Sequence, residues 1–226
     1  MASKNKVTLK GTIAKIAKAE KVTILTLGVK DPDYKTSVSN YPTVYFFGET
    51  KDQLKDMNEG DRVCIGGRLQ SYDSKKLRKG QSEILIVGET AELEAPKTGE
   101  LKEFGEPMDD AFAQDENSFE VQGQILGIEA FGPNVYLTIR VSDGSRHTNI
   151  IKFSYIARNA ALFLKNVYVL QHVHAMGNVQ TLNVPVESPE DVKGPELIRD
   201  SEKRERRLKT HKQQIYVLYD VYDISK

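Results

Sequence analysis

Tryptophan is absent from the 226 residues, cysteine occurs once, and no apolar run approaches the roughly 20 residues of a membrane-spanning helix. A lone Cys64 cannot form an internal disulfide, and its apolar strand context gives it a packing role. The first residues, Met1-Ala-Ser-Lys-Asn-Lys6, lack the apolar centre of a signal peptide, so the expected location is the cytoplasm, with no membrane contact. Catalytic signatures are missing too. No phosphate-cradling Gly loop is followed by Lys and Ser or Thr, and no nucleophile elbow occurs. His172 and His174 lie two apart on one strand face, but no Asp, Glu or Cys stands at ligand spacing, so a metal site is not expected. The expectation is a binding protein without cofactor or catalytic activity.

The net charge of zero conceals an uneven distribution. Residues 1–98 carry 17 basic and 13 acidic groups, residues 99–120 carry 1 and 8, and residues 121–226 carry 14 and 11. Two mildly basic halves therefore flank an acidic connector. So small an excess means that neutralising phosphate cannot supply most of the affinity of a nucleic-acid binder, and stacking would have to contribute.

Aromatic residues are concentrated where a stacking surface would need them. From Tyr41 to Phe47 the chain alternates, so Pro42, Val44 and Phe46 face one way and Tyr41, Thr43, Tyr45 and Phe47 the other. A strand with one buried face normally shows water a polar second face; here the second face is aromatic and calls for a partner. A short amphipathic helix, Thr50 to Met57, follows, with Leu54 and Met57 on one side to plug a barrel end. Strand Arg62 to Ser71 then runs into Tyr72-Asp-Ser-Lys-Lys-Leu-Arg-Lys-Gly80. There Lys75, Lys76, Arg78 and Lys79 form either a finger that tracks phosphates or a solvated hairpin tip.

The run Val44-Tyr-Phe-Phe-Gly48, the helix, Glu59-Gly60 and Gly67-Arg-Leu-Gln70, preceded by Val7-Thr-Leu-Lys-Gly11 and Thr23 to Val29, resembles the barrel of the bacterial single-stranded-DNA-binding protein family. The resemblance spans about the first ninety-five residues and implies an OB fold. It further implies that Tyr41 and Phe47 stack on bases, with Tyr34 and Tyr72 as looser matches in flanking loops. Thr43, Tyr45 and Arg68 share that face or its border. Roles in replication, recombination or repair, in a cell, phage or plasmid, are implied as well. So are a homodimer presenting four barrels, contacts with replication or recombination proteins, and a nucleoid or host-cytoplasm location.

The pattern repeats. Val7-Thr-Leu-Lys-Gly-Thr-Ile13 aligns with Phe119-Glu-Val-Gln-Gly-Gln-Ile125, and Leu25-Thr-Leu-Gly-Val-Lys-Asp31 aligns at the same offset with Leu137-Thr-Ile-Arg-Val-Ser-Asp143. The expected architecture is therefore all-β, with two OB-fold Greek-key barrels, each with a short helix, at 1–97 and 118–226. An acidic flexible linker, 98–117, joins them. Within it Met108-Asp-Asp-Ala-Phe112 faintly resembles the family's acidic, Phe-ended partner-recruiting tail, although this copy is internal; a charged spacer is the other reading. Linker acids Glu100, Glu103, Glu106, Asp109, Asp110, Asp115 and Glu116 are expected either to compete with DNA phosphates or to act as passive spacer.

In the second half, Val135, Leu137, Ile139 and Val141 form an inward row, leaving Tyr136 and Arg140 outward. The third strand of this half has two possible registers; if Ile151 and Phe153 are core, Thr148, Ile150 and Lys152 face out and the aromatic platform is missing. A helix at 157–164, a strand at 167–175 and a closing strand at 213–223 complete the order. Closing-strand residues Tyr216, Tyr219 and Tyr222 read as packing. Between these last strands an insertion of about 177–211 holds Lys203, Arg204, Arg206, Arg207 and Lys209, either a phosphate-binding cluster or an arm balanced by its own acids. The leading functional expectation is sequence-tolerant binding of single-stranded DNA. An assembly or adaptor protein using its barrels for protein contacts, or an RNA-binding barrel, is the alternative.

Overall fold

A computed structural model describes residues 4–30, 39–72, 83–94, 115–142, 148–156, 160–185 and 210–224. Strands β1 (Asn5–Lys18), β2 (Val22–Lys30), β3 (Ser39–Asn40), β4 (Thr43–Phe47), β5 (Arg62–Tyr72) and β6 (Glu83–Leu93) form the first half. In the second are β7 (Glu116–Phe131), β8 (Asn134–Ser142), β9 (Thr148–Ile156), α1 (Ala160–Asn166), β10 (His172–Pro185) and β11 (Thr210–Asp223). Pairing closes two rings, β1-β2-β4-β6-β5 and β7-β8-β9-β11-β10, each with one parallel contact, β4 with β6 and β9 with β11. Closure removes the open edges that would otherwise template aggregation.

Strict alternation produces each ring. Along β2, Thr23, Leu25, Leu27 and Val29 are buried, and along β8 the row Val135, Leu137, Ile139 and Val141 is fully buried, as the period of two requires. A strand long enough to serve two neighbours must bend. In β1 the bend lies at Gly11, where a Cβ would stand 2.5 Å from the Gly28 carbonyl oxygen; at Gly123 it would stand 2.3 Å from that of Arg140. Bulges between Ile13 and Lys15 and between Ile125 and Gly127 follow each bend. Every residue in this comparison maps onto its counterpart by the sequence offset, so the duplication extends to backbone detail.

The halves meet along β1 and β7, which pair antiparallel with Val7 opposite Phe119, residues that are themselves equivalent. An approximate two-fold axis therefore passes through that pair. Matched side-chain clamps flank it. Asn5 donates to the Leu69 carbonyl at 2.9 Å and accepts from the Leu69 amide at 3.0 Å, while Asn117 does the same with Val179 at 2.7 and 2.9 Å. Across the seam, Asn40 accepts from the Thr181 amide and Asn149 from the Ser71 amide. Both asparagines are buried, so these bonds satisfy groups that would be costly to leave unpaired.

Several expected boundaries shift. Strand β7 begins at Glu116, inside the span read as linker at 98–117, because Asp115 and Asn117 are both tied down. Asp115 accepts from the Lys30 amide at 2.6 Å and pairs with Arg62, which also pairs with Glu94 at 3.3 Å. Residues 98–114 of that span, with Met108 to Phe112, lie outside the described residues. The insertion placed at 177–211 is shorter, since β10 and β11 pair from Gly177 with Leu218 out to Pro185 with Thr210. The basic cluster at 203–209 falls outside the described residues. The first helix is a 3-10 helix, Gly48–Leu54, and it buries Leu54 as expected. Cys64 sits on the outer, half-buried face of β5, not in the core, and burial pushes its thiol up despite the nearby Lys10.

Candidate nucleic-acid interface

Register places the outward residues of four strands side by side. Tyr45 lies opposite Ile24 on β2 and next to Val87 on β6; Val87 in turn lies opposite Arg68 on β5. From that row, Phe47 lies opposite Val22 in one direction, and in the other Gln70 lies opposite Leu85 and, further on, Tyr72 opposite Glu83. These residues, with Thr50, Gly88 and Glu89, line a groove of about 660 Å³ on the outside of the first barrel. Its aromatic rings are available: Phe47 is 44% exposed and Tyr72 54%. The Tyr45 and Phe47 rings lie nearly parallel, 10° apart, with centroids 6.4 Å apart.

The groove floor depends on Gly88. Directly beneath it is the Phe46 ring, and a Cβ at position 88 would come within 2.3 Å of it. One border is fixed by the 3-10 helix: Gln53 donates to the Glu89 carbonyl at 2.9 Å and accepts from the Ala91 amide at 2.8 Å, and Thr50 donates to the Phe47 carbonyl at 2.8 Å. Glu89 is the extra residue of a β6 bulge, and its carboxylate pairs with Arg68. Arg68 also donates to Gln70 at 3.3 Å. At the other end the second barrel buttresses β4 and β6, with the Tyr216 hydroxyl donating to the Ile84 carbonyl at 3.1 Å and Gln214 accepting from the Thr43 amide. Burial, and then the charge of Glu83, push the Tyr45 hydroxyl up, so it stays protonated near neutral pH.

Of the residues singled out in the sequence, Tyr45, Phe47, Arg68 and Tyr72 converge on this groove. Tyr41 and Thr43 do not line it. The Tyr41 amide donates to Thr181 of the second barrel at 2.9 Å, which places that residue at the seam. Tyr34, Lys75, Lys76, Arg78 and Lys79 lie outside the described residues. Sequence reading missed Ile24, Leu85, Val87, Glu83 and Glu89. The signal that would have found β6 was the one used for β4, apolar residues on both faces of one strand, here Leu85 and Val87 alternating with Ile84 and Ile86.

The equivalent surface of the second barrel differs in chemistry. Register equates Tyr45 with Ser154, Phe47 with Ile156, Arg68 with Asn178, Tyr72 with Leu182 and Glu83 with Gln213. Tyr136 stands where the first barrel has Ile24. Lys152 is bound by both Glu129 oxygens at 2.9 and 3.0 Å and lies 5.1 Å above the Tyr136 ring, while Arg140 bonds Gln124. Tyr216 is buried in the packing role expected of it, but Tyr219 and Tyr222 are exposed. His174 meets the Glu120 carboxylate, which Lys4 also holds; these bonds outweigh burial and keep Glu120 below the usual carboxylate range. Among the described residues no group of three or more His, Cys, Asp and Glu could hold a metal.

No family model matches the sequence, and no curated protein does either. Solved structures do match. The wild-type single-stranded DNA binding protein of Thermus aquaticus aligns over 100% of this chain and 95% of its own, with a TM-score of 0.64 at 14% identity. A deletion mutant of the same protein aligns over 100% and 97%, with a TM-score of 0.61 at 14% identity. The chain has the OB fold of the single-stranded-DNA-binding proteins.

Proposed function

We propose that this chain binds single-stranded DNA through the groove of its first barrel, stacking bases on Tyr45, Phe47 and Tyr72. The observation that carries the reading is the clustering of three aromatic rings, two of them strongly exposed, on the outer face of an OB barrel. Every base offers a π-face, so such a surface accepts strands of differing sequence, at about 1–3 kcal/mol per stacked base. Charge takes a smaller part. Within the groove, Arg68 is engaged by Glu89, and the phosphate contacts fall to Lys75, Lys76, Arg78 and Lys79, which follow Tyr72 in the sequence. The second barrel supports the first and contributes a weaker surface around Tyr136. The proposal includes the roles in replication, recombination or repair that protection of single strands serves, in a homodimer.

Fluorescence anisotropy with a labelled single-stranded oligomer and its duplex, each at two salt concentrations, tests the reading. Single strands should bind more tightly than duplex, with a salt dependence corresponding to only a few neutralised phosphates. Duplex binding of equal strength, or no binding of single strands at low salt, would refute it.

A further inference from the structure

Two of the groove's polar groups, Glu83 and Glu89, are carboxylates that only accept, and Arg68, the one cation among its described lining residues, donates to the Glu89 carboxylate and to the Gln70 carbonyl. Glu83 stands at the far end, opposite Tyr72 and close enough to Tyr45 to raise its hydroxyl, and no described residue donates a hydrogen bond to its carboxylate. A carboxylate lining an aromatic groove repels phosphate. It accepts hydrogen bonds from a base edge instead.

Resting on the stacking function proposed above, we infer that Glu83 is a specificity-determining residue that makes the groove favour bases presenting donors, guanine first, over thymine. Guanine offers adjacent N1–H and N2–H donors that match both carboxylate oxygens, and cytosine and adenine each offer one amino group. Thymine offers a single N3–H flanked by two carbonyl oxygens, which face the carboxylate unfavourably. Unstacked single strands expose these edges, so a base lying on Tyr45 or Tyr72 can turn its edge to Glu83. The second barrel supplies an internal contrast, because Gln213 stands at the equivalent position and carries donors as well as an acceptor.

The test compares alternating dT-dG and all-dT oligomers of one length, titrated into the full chain and into Glu83→Gln and Glu83→Leu. The wild type should prefer the dT-dG strand by about 5-fold, the low end of what a bidentate base contact yields, because Glu83 is exposed. In both variants the ratio should fall towards one while the affinity for dT is kept or slightly raised. A wild-type ratio of one or below, or a ratio unchanged in both variants, overturns the inference and leaves single-strand binding standing. Loss of all single-strand binding in the wild type would instead remove both.

Discussion

Asp115 lies between the Lys30 amide and the Arg62 guanidinium, with only 11% of its side chain exposed and 14% of Arg62's, so its charge closes the end of the first barrel. As one of seven acids in a Pro- and Gly-rich stretch it reads as solvated, because nothing local distinguishes it from Asp109 or Asp110. The partner 53 residues away supplies the distinction. Asp115→Asn should therefore cost about 1.5–3 kcal/mol of stability, the worth of hydrogen bonds to a charged group, seen as a lower urea midpoint. An unchanged midpoint would mean that the pair is dispensable. Glu116 is likewise drawn to the fold, 3.8 Å from Lys10, so removing the segment's charges as a set would confound binding with stability. The same limit hid Asn40 and Asn149, polar residues at the ends of aromatic or apolar runs whose partners lie in the other barrel.

At the scale of the element, duplication provides a built-in comparison. The turn before β5, Asn58 to Asp61, and the turn before β10, Tyr168 to Gln171, make the same bonds: Gly60 donates to the Ile13 carbonyl at 2.9 Å and Leu170 to that of Ile125 at 2.8 Å. Asp61 and Gln171 each accept from the first amide of their turn. Gly60 has φ of 95°, whereas Leu170 holds φ of 73° with its side chain 63% exposed. A left-handed Leu costs about 1–2 kcal/mol, and glycine's greater unfolded-state freedom returns about 0.5–1 of that. Leu170→Gly should thus stabilise the protein by about 0.5–1 kcal/mol, while Gly60→Ala should destabilise it; chemical denaturation of both variants checks the signs. A destabilised Leu170→Gly would show that the exposed side chain contributes packing.

Strand periodicity and the two-faced strand β4 were legible in the sequence because each rests on spacing within one segment. In the second barrel the sequence allowed two registers for β9, and the structure has the one with Ile151 and Phe153 fully buried. On β6, apolar residues on both faces signal a second two-faced strand, but only parallel pairing with β4 shows that Val87 lies beside Tyr45. Tyr41 belongs by alternation with Tyr45 and Phe47, but strand pairing is interrupted between Asn40 and Thr43, and the Tyr41 amide donates to Thr181 of the second barrel.

For the whole molecule, an approximate two-fold axis relates backbones whose surfaces have diverged. One barrel carries Tyr45, Phe47 and Tyr72 where the other carries Ser154, Ile156 and Leu182, so binding energy should be concentrated on one side of the axis. Anisotropy titration of a labelled single-stranded oligomer with Tyr45→Ala/Phe47→Ala, set beside the counterpart Ser154→Ala/Ile156→Ala, measures that asymmetry directly. The first pair should lose about 1–3 kcal/mol per missing stack, at least tenfold in affinity for the two together, and the second pair should bind within about twofold of the wild type. Equal losses from the two pairs, or full affinity without Tyr45 and Phe47, would contradict the account.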